Sequence, residues 1–293
     1  MERTSAKNRS PETSQPVLKS LLLSQSFRLG SVQVHYYGII LAAAIVAGFG
    51  VALARAKKAG FDRSFLEDLG FWLIIFGIIG ARAYYVIFYP QFFRGDFLEI
   101  FRIWHGGQAI YGALIGGALT VWYFARKYKI NFWRITDFLV FALPLGQAIG
   151  RLGNYFNYEA FGKPTNLPWK IFIPQNFRPA GYEQYQFFQP AFAYEALASL
   201  ALFALMLGIE KYFEKNPGKT WVQRLNQPGI FTAIYIIGYS IARFFVEGIR
   251  LDSAYLSGFR VDQITALFLI VLTSAILVYR YAAQISHRSI DRN

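Results

Sequence analysis

Thirteen residues, GRLGNYFNYEAFG at Gly150–Gly162, concentrate the chemistry this chain can offer. Arg151, Asn154, Asn157 and Glu159 fall within nine residues directly after an apolar stretch, framed by Gly150, Gly153 and Gly162. A guanidinium beside two carboxamides suits a phosphate, because the planar fork and the amide donors hold several anionic oxygens at once. A well-capped loop start would also be polar, but it has no use for so many dipolar groups at membrane depth. A second set, Tyr239, Arg243 and Glu247, is spaced i, i+4 and i+8. That spacing lines up a phenol, a guanidinium and a carboxylate on one helix face. An Arg243–Glu247 pair alone could neutralise itself; Arg250, one turn further on, leaves two cations for one carboxylate.

Two smaller groups stand apart. Arg82 lies in the middle of an apolar run, with Tyr85 and Tyr89 at i+3 and i+7. An Arg at a membrane-helix centre costs about 2.5–3.5 kcal/mol on insertion scales, so it is a functional candidate, here for an anionic phospholipid. The competing reading of the tyrosines is an interfacial aromatic belt. His105 opens HGG just before another apolar run. It is either a general base or a hydrogen-bonded interfacial His. Gly106 and Gly107 lack side chains and allow close approach to the backbone. Gly112, Gly116 and Gly117 read as helix packing.

Composition narrows the classes. The chain is 55% apolar and 16% charged, well below the charge of an average soluble domain, and aromatics reach 18%. A net charge of +13 fits nucleic acid or anionic lipid, and apolar runs of membrane length favour lipid. There is no Cys, which excludes disulfides, thiolate metal sites and a cysteine nucleophile in this chain. The three His (His35, His105 and His287) show no metal-pair spacing, so neither a metal nor another cofactor is expected.

These groups must be positioned by an all-α polytopic membrane fold. Seven segments are apolar enough to be spans: roughly Tyr37–Ala54, Leu69–Tyr89, Ala109–Phe124, Ile135–Ile149, Ala191–Ile209, Gly229–Glu247 and Val261–Tyr279. The fourth is short and carries Asp137; it lengthens if Gly150–Asn154 continues it. The loops after segments one, three and five and the C-terminal end hold 15 Lys and Arg in roughly 55–60 residues, against 13 in roughly 105–110 on the other side. The dense side is expected to be cytoplasmic, placing the N-terminus outside and the C-terminus inside. Residues 1–26 read as a flexible extension whose LLL patch, Leu21–Leu23, is too short for a cleaved signal. Residues 27–285 form the membrane-embedded domain, and 286–293 a cytoplasmic tail. Between segments four and five, about residues 155–190, a Pro-rich stretch with strand-like pieces such as WKIFIP (Trp169–Pro174) is expected to make a small extracytoplasmic module.

The ordered motifs are similar to those of the prolipoprotein diacylglyceryl transferase family. Besides Gly150–Gly162, they are YYG at Tyr36–Gly38, GAR with Tyr85, HGG at His105–Gly107, YEA at Tyr194–Ala196 and RFFVEGIR at Arg243–Arg250, in the family's order over about residues 27–280. Two places depart from the family pattern: Gln189–Pro190 replaces a His-Pro step, and Leu251–Asp252–Ser253 replaces an acidic-proline step. The resemblance implies a bacterial inner-membrane enzyme. It would move the sn-1,2-diacylglyceryl group of phosphatidylglycerol to the lipobox cysteine of a preprolipoprotein, forming a thioether and releasing glycerol phosphate. It further implies importance for Tyr37, His105, Arg151, Asn154, Glu159, Gly162, Tyr239, Arg243 and Glu247. Arg151 and Arg243 would stabilise the leaving phosphate. Either His105 takes the thiol proton or an Arg-rich field lowers the thiol pKa. Membrane lipids and lipobox signal peptides are the expected partners, with no role for nucleic acid. The alternative reading is a transporter or flippase for an anionic lipid or solute. It would favour inverted repeats, and none stands out.

Overall fold

A computed structural model describes residues 25–290, with side chains through 282. The Leu21–Leu23 patch and residues 291–293 lie outside the described residues. Nine α-helices are described: α1 (Tyr36–Lys58), α2 (Arg63–Phe88), α3 (Ile110–Lys127), α4 (Phe132–Leu139), α5 (Ala142–Asn157), α6 (Ala191–Lys215), α7 (Thr220–Leu225), α8 (Ile230–Glu247) and α9 (Val261–Ile290). Three antiparallel two-stranded hairpins accompany them: β1–β2 (Ser26–Leu29, Val32–His35) before α1, β3–β4 (Ile171–Phe172, Phe187–Phe188) between α5 and α6, and β5–β6 (Tyr255–Leu256, Phe259–Arg260) between α8 and α9. The first hairpin begins inside the expected flexible extension, and α9 continues to Ile290, through the start of the expected tail.

The chain is a polytopic membrane protein. Among the described residues six helical stretches are long and apolar enough to cross a bilayer, α4 and α5 counting as one, Phe132–Asn157. Outward-facing side chains such as Val46, Ile87, Val271 and Val278 are about two-thirds exposed or more, which suits lipid and would be costly in water. The third expected segment is α3, which is not among the six. Its glycines, Thr120 and terminal Arg126 and Lys127 dilute its apolar side chains. The fourth segment is longer than expected and broken at Val140–Phe141. Pro144 accounts for the break, because its ring collides with the carbonyl four residues back and it donates no N–H.

Neighbouring helices run antiparallel. Tyr37 of α1 lies against Gly153 of α5 while Gly48 lies against Ala142. Arg243 of α8 pairs with Asp262 of α9, while Arg280 of α9 donates to Pro228 O just before α8. One end of the bundle therefore collects the first turns of α1, α3, α6 and α9 and the last turns of α2, α5 and α8. At the opposite end Asp137 of α4 caps α8, accepting from Gly229 N at 2.6 Å and Thr232 N at 2.9 Å. A carboxylate at a helix N-terminus meets unsatisfied N–H groups and the positive end of the dipole. One core layer joins α1 to α4 around Leu69, Phe124 and Ile135. A second joins the Val140–Phe141 break to α6, α7 and α8 around Phe141, Met206 and Phe231. Tyr158, Phe161, Ile173 and Phe188 make a small third core under the β3–β4 hairpin.

The tightest helix contact is α2 against α3, where a Cβ on Gly112 would overlap Gly80 O and Tyr84 Cβ. Gly112→Val is expected to separate these helices and cost about 3 kcal/mol or more. Gly77→Ala, where a Cβ meets open space, is expected to be neutral or slightly stabilising. Thermal unfolding of the detergent-purified variants checks both.

Candidate active site

The helix ends gathered on one side of the bundle converge on a carboxylate. Glu195, in the first turns of α6, is 1% exposed. Its Oε1 accepts from Arg151 Nη2 of α5 and from the Tyr239 hydroxyl of α8 at 3.2 Å. Its Oε2 lies 3.2 Å from Arg243 Nη1 and 3.6 Å from Arg250 Nη1. Arg243 also reaches Glu247 Oε2 at 2.7 Å and pairs with Asp262 of α9. Asp262 in turn accepts from the Tyr111 hydroxyl of α3 at 3.0 Å. Arg250 forks onto Asp252 at 2.8 and 2.6 Å. That contact holds the Asp252 carboxyl below the usual carboxylate range, even though loss of hydration pulls the other way.

The three guanidinium groups are not equivalent. The Arg243 and Arg250 side chains are 13% and 11% exposed and each meets several carboxylates. Arg151 is 26% exposed and has one carboxylate partner, Glu195, among the described residues. Arg151 is thus anchored on Glu195 beside the Tyr239 hydroxyl, with the exposed part of its fork open to an incoming anion.

The expected site residues divide into two groups. Arg151, Tyr239, Arg243 and Glu247 meet around Glu195, with Asn154 buried one turn beyond Arg151 on α5. Tyr37 packs its ring over Gly153, next to Asn154; a Cβ at Gly153 would come within 2.7 Å of it. Glu159 is exposed on the corner after α5, between left-handed Tyr158 and Ala160 (φ 55° and 53°). Partial loss of hydration, then the Asp252 charge, raises its carboxyl above the ordinary value. Gly162 is buried and stitched into the protein: its N–H donates to Gln189 O at 2.8 Å and it bridges to Arg250. A Cβ there would press on Ile249 O and Gln189 Cβ, so what comes close is another protein segment. Gln189, where the family pattern differs, also donates its own N–H to Lys163 O.

The second group centres on Arg82, which is 7% exposed. Its guanidinium donates to the carbonyls of Ile100 (2.8 Å), Gly106 (2.5 Å), Gly107 (3.0 Å) and Glu99. Those contacts pin the loop that carries His105. Gly107, at φ 71°, is pressed against Arg82 and Tyr85, whereas Gly106, at φ 87°, faces open space. His105 is exposed, with Nδ1 2.8 Å from Glu99 Oε1. That contact, aided by Arg102 and opposed by some desolvation, holds the Glu99 carboxyl below its ordinary range. The two groups are joined through the start of α3, six residues from His105 to Tyr111.

Residues 24–279 match the family model described as prolipoprotein diacylglyceryl transferase. The chain belongs to that family. It is 40% identical over 258 residues to the phosphatidylglycerol--prolipoprotein diacylglyceryl transferase of Synechocystis sp., covering 88% of this chain and 89% of that one. The protein of the same name from Synechococcus elongatus is 41% identical over 254 residues, 86% of each chain. That from Thermotoga maritima is 38% identical over 86% of this chain and 83% of its own.

The most connected residue of this family member, Glu195, is absent from the candidates drawn from the sequence, although YEA was noted as a motif. A carboxylate early in an apolar span was the available signal. Asp262 carried the same signal at the start of α9. Glu99 gave none, since acidic residues are ordinary in loops.

Arg82→Ala is expected to free the Glu99–Gly107 loop. Removing several charge-assisted hydrogen bonds should speed its backbone hydrogen exchange by about tenfold or more. Exchange in α6 should stay unchanged.

Proposed function

We propose that this chain transfers the sn-1,2-diacylglyceryl group of phosphatidylglycerol to the lipobox cysteine thiol of a preprolipoprotein. The carrying observation is the partly open Arg151 guanidinium held on buried Glu195, in a chain of this family. The sulfur bonds to the third glyceryl carbon as that carbon's bond to the phosphate oxygen breaks. The electron pair leaves with the oxygen, giving a thioether and glycerol phosphate. The phosphodiester carries one negative charge and the released monoester gains another, so stabilisation is needed where that charge develops. Arg151 holds the phosphate, and Arg243 stabilises the added charge.

Tyr37 and Asn154 border the phosphate side next to Arg151, and Glu159 borders the entrance. Tyr239 and Glu247 hold the guanidinium groups in register. Arg82 acts at one remove, by fixing the loop of His105, Gly106 and Gly107. His105 takes the thiol proton: Nδ1 facing Glu99 leaves Nε2 as the acceptor. Phe97, Leu98, Phe101 and Trp104 on the same loop are 64–77% exposed, which suits immersion at a lipid interface. The charge bias of the loops supports an outer-leaflet position for this end of the bundle in a bacterial inner membrane, with the C-terminus cytoplasmic.

An assay with phosphatidylglycerol vesicles and a lipobox peptide, read by mass spectrometry, tests the reaction. The expected product is the thioether-linked diacylglyceryl peptide, and Arg151→Ala is expected to lose at least about 100-fold in rate. Unchanged turnover by Arg151→Ala would remove it from the site, and lipid flux without peptide modification would favour a transporter. His105→Gln is expected to slow transfer far more than it weakens phosphatidylglycerol binding. Equal losses of both would make His105 structural.

A further inference from the structure

A groove of about 450 Å³ runs along the lipid-facing seam of α2 and α3, away from the candidate active site. Its walls include Trp72, Phe76, Leu119, Tyr123, Phe124 and Lys127. Tyr111, near the other end of α3, touches the active-site carboxylate Asp262. Sixteen residues separate Tyr111 from Lys127, about 24 Å at the helical rise. The groove therefore opens toward the opposite membrane surface.

The walls are apolar and firm. Trp72 and Phe76 stack with centroids 5.4 Å apart. The Thr120 hydroxyl is turned onto Gly116 O at 2.8 Å, which removes its polarity from the groove. Lys127 stands at the end, its ammonium 6.0 Å from the centroid of Phe124 and 5.2 Å from that of Tyr128. Among the described residues no carboxylate pairs with Lys127. Asp68, one turn before Trp72, makes no ion pair with it. At the same membrane face Arg55 and Lys58 of α1 are neutralised by Glu210 and Glu214 of α6. Arg126 and Lys129 add further positive charge beside Lys127.

We propose that this groove holds one resident anionic diacyl phospholipid of that leaflet, with its phosphate at Lys127 and an acyl chain between Trp72, Phe76 and Leu119. The length fits: Gly116 to Lys127 rises about 16 Å, close to half of a hydrocarbon core about 30 Å thick. The charge fits too, because the cation closing the groove has no protein counter-ion among the described residues.

A photoreactive benzoylphenylalanine at Leu119, which is 60% exposed, tests this in vesicles of equal phosphatidylglycerol and phosphatidylcholine. A second probe at Val271 of α9 reports ordinary annular lipid. The Leu119 probe is expected to capture phosphatidylglycerol about fivefold over phosphatidylcholine, and the Val271 probe to show no preference. Lys127→Gln should abolish the preference at Leu119, and Lys127→Arg should keep it. Equal capture of both lipids at Leu119, a preference untouched by Lys127→Gln, or crosslinking to a second copy of the chain would each overturn the proposal.

Discussion

A fully buried carboxylate sets the geometry on which the active end of this protein depends. Glu195 lies where water cannot solvate it, and an isolated charge there would be prohibitive. It is tolerated because α5, α8 and the segment after α8 each bring a guanidinium, with a phenol completing the set. The dependence is mutual. Removing one partner of such a buried pair typically costs 3–5 kcal/mol, because the charges left behind lose their counter-ion. The cluster thus fixes the relative positions of α5, α6 and α8 where helix packing alone would permit sliding.

The same electrostatic argument separates framework from working residues. Arg250 is held by Glu195 and Asp252 and keeps shape, while Glu195, Glu247 and Asp262 fix Arg243 in the position from which its proposed role is played. Arg151 meets one carboxylate, Glu195, among the described residues and keeps part of its fork exposed, the arrangement that the proposed phosphate-holding role requires. Arg82 solves the opposite problem. It satisfies four backbone carbonyls of one loop and leaves His105 exposed but located.

Much of this was legible in the sequence, for identifiable reasons. Apolar runs mark helices, and the polar residues ending or interrupting them mark candidates, so Tyr239, Arg243 and Glu247 could be grouped from spacing and Arg151 singled out in the separate Gly150–Gly162 run. What spacing misses is contact between helices. Glu195 looked like one polar residue in an apolar segment because its partners lie 44, 44, 48 and 55 residues away. Arg82 looked like a ligand-binding cation, since no sequence pattern announces backbone carbonyls as partners. The break before Pro144 was available from proline chemistry, yet the apolar run across it reads as continuous. The β1–β2 hairpin overlaps the expected extension only at Ser26 and otherwise fills the stretch before the first apolar segment, for which the sequence reading named no element.

The central claim is that Glu195 orders the guanidinium groups for phosphate chemistry. Its direct test is Glu195→Gln, which keeps the side chain's shape and one carbonyl acceptor while removing the charge. In detergent-purified protein that retains its helix content, the account predicts a loss of diacylglyceryl transfer of at least about 100-fold. Transfer at the unsubstituted rate by a folded Glu195→Gln protein would contradict it.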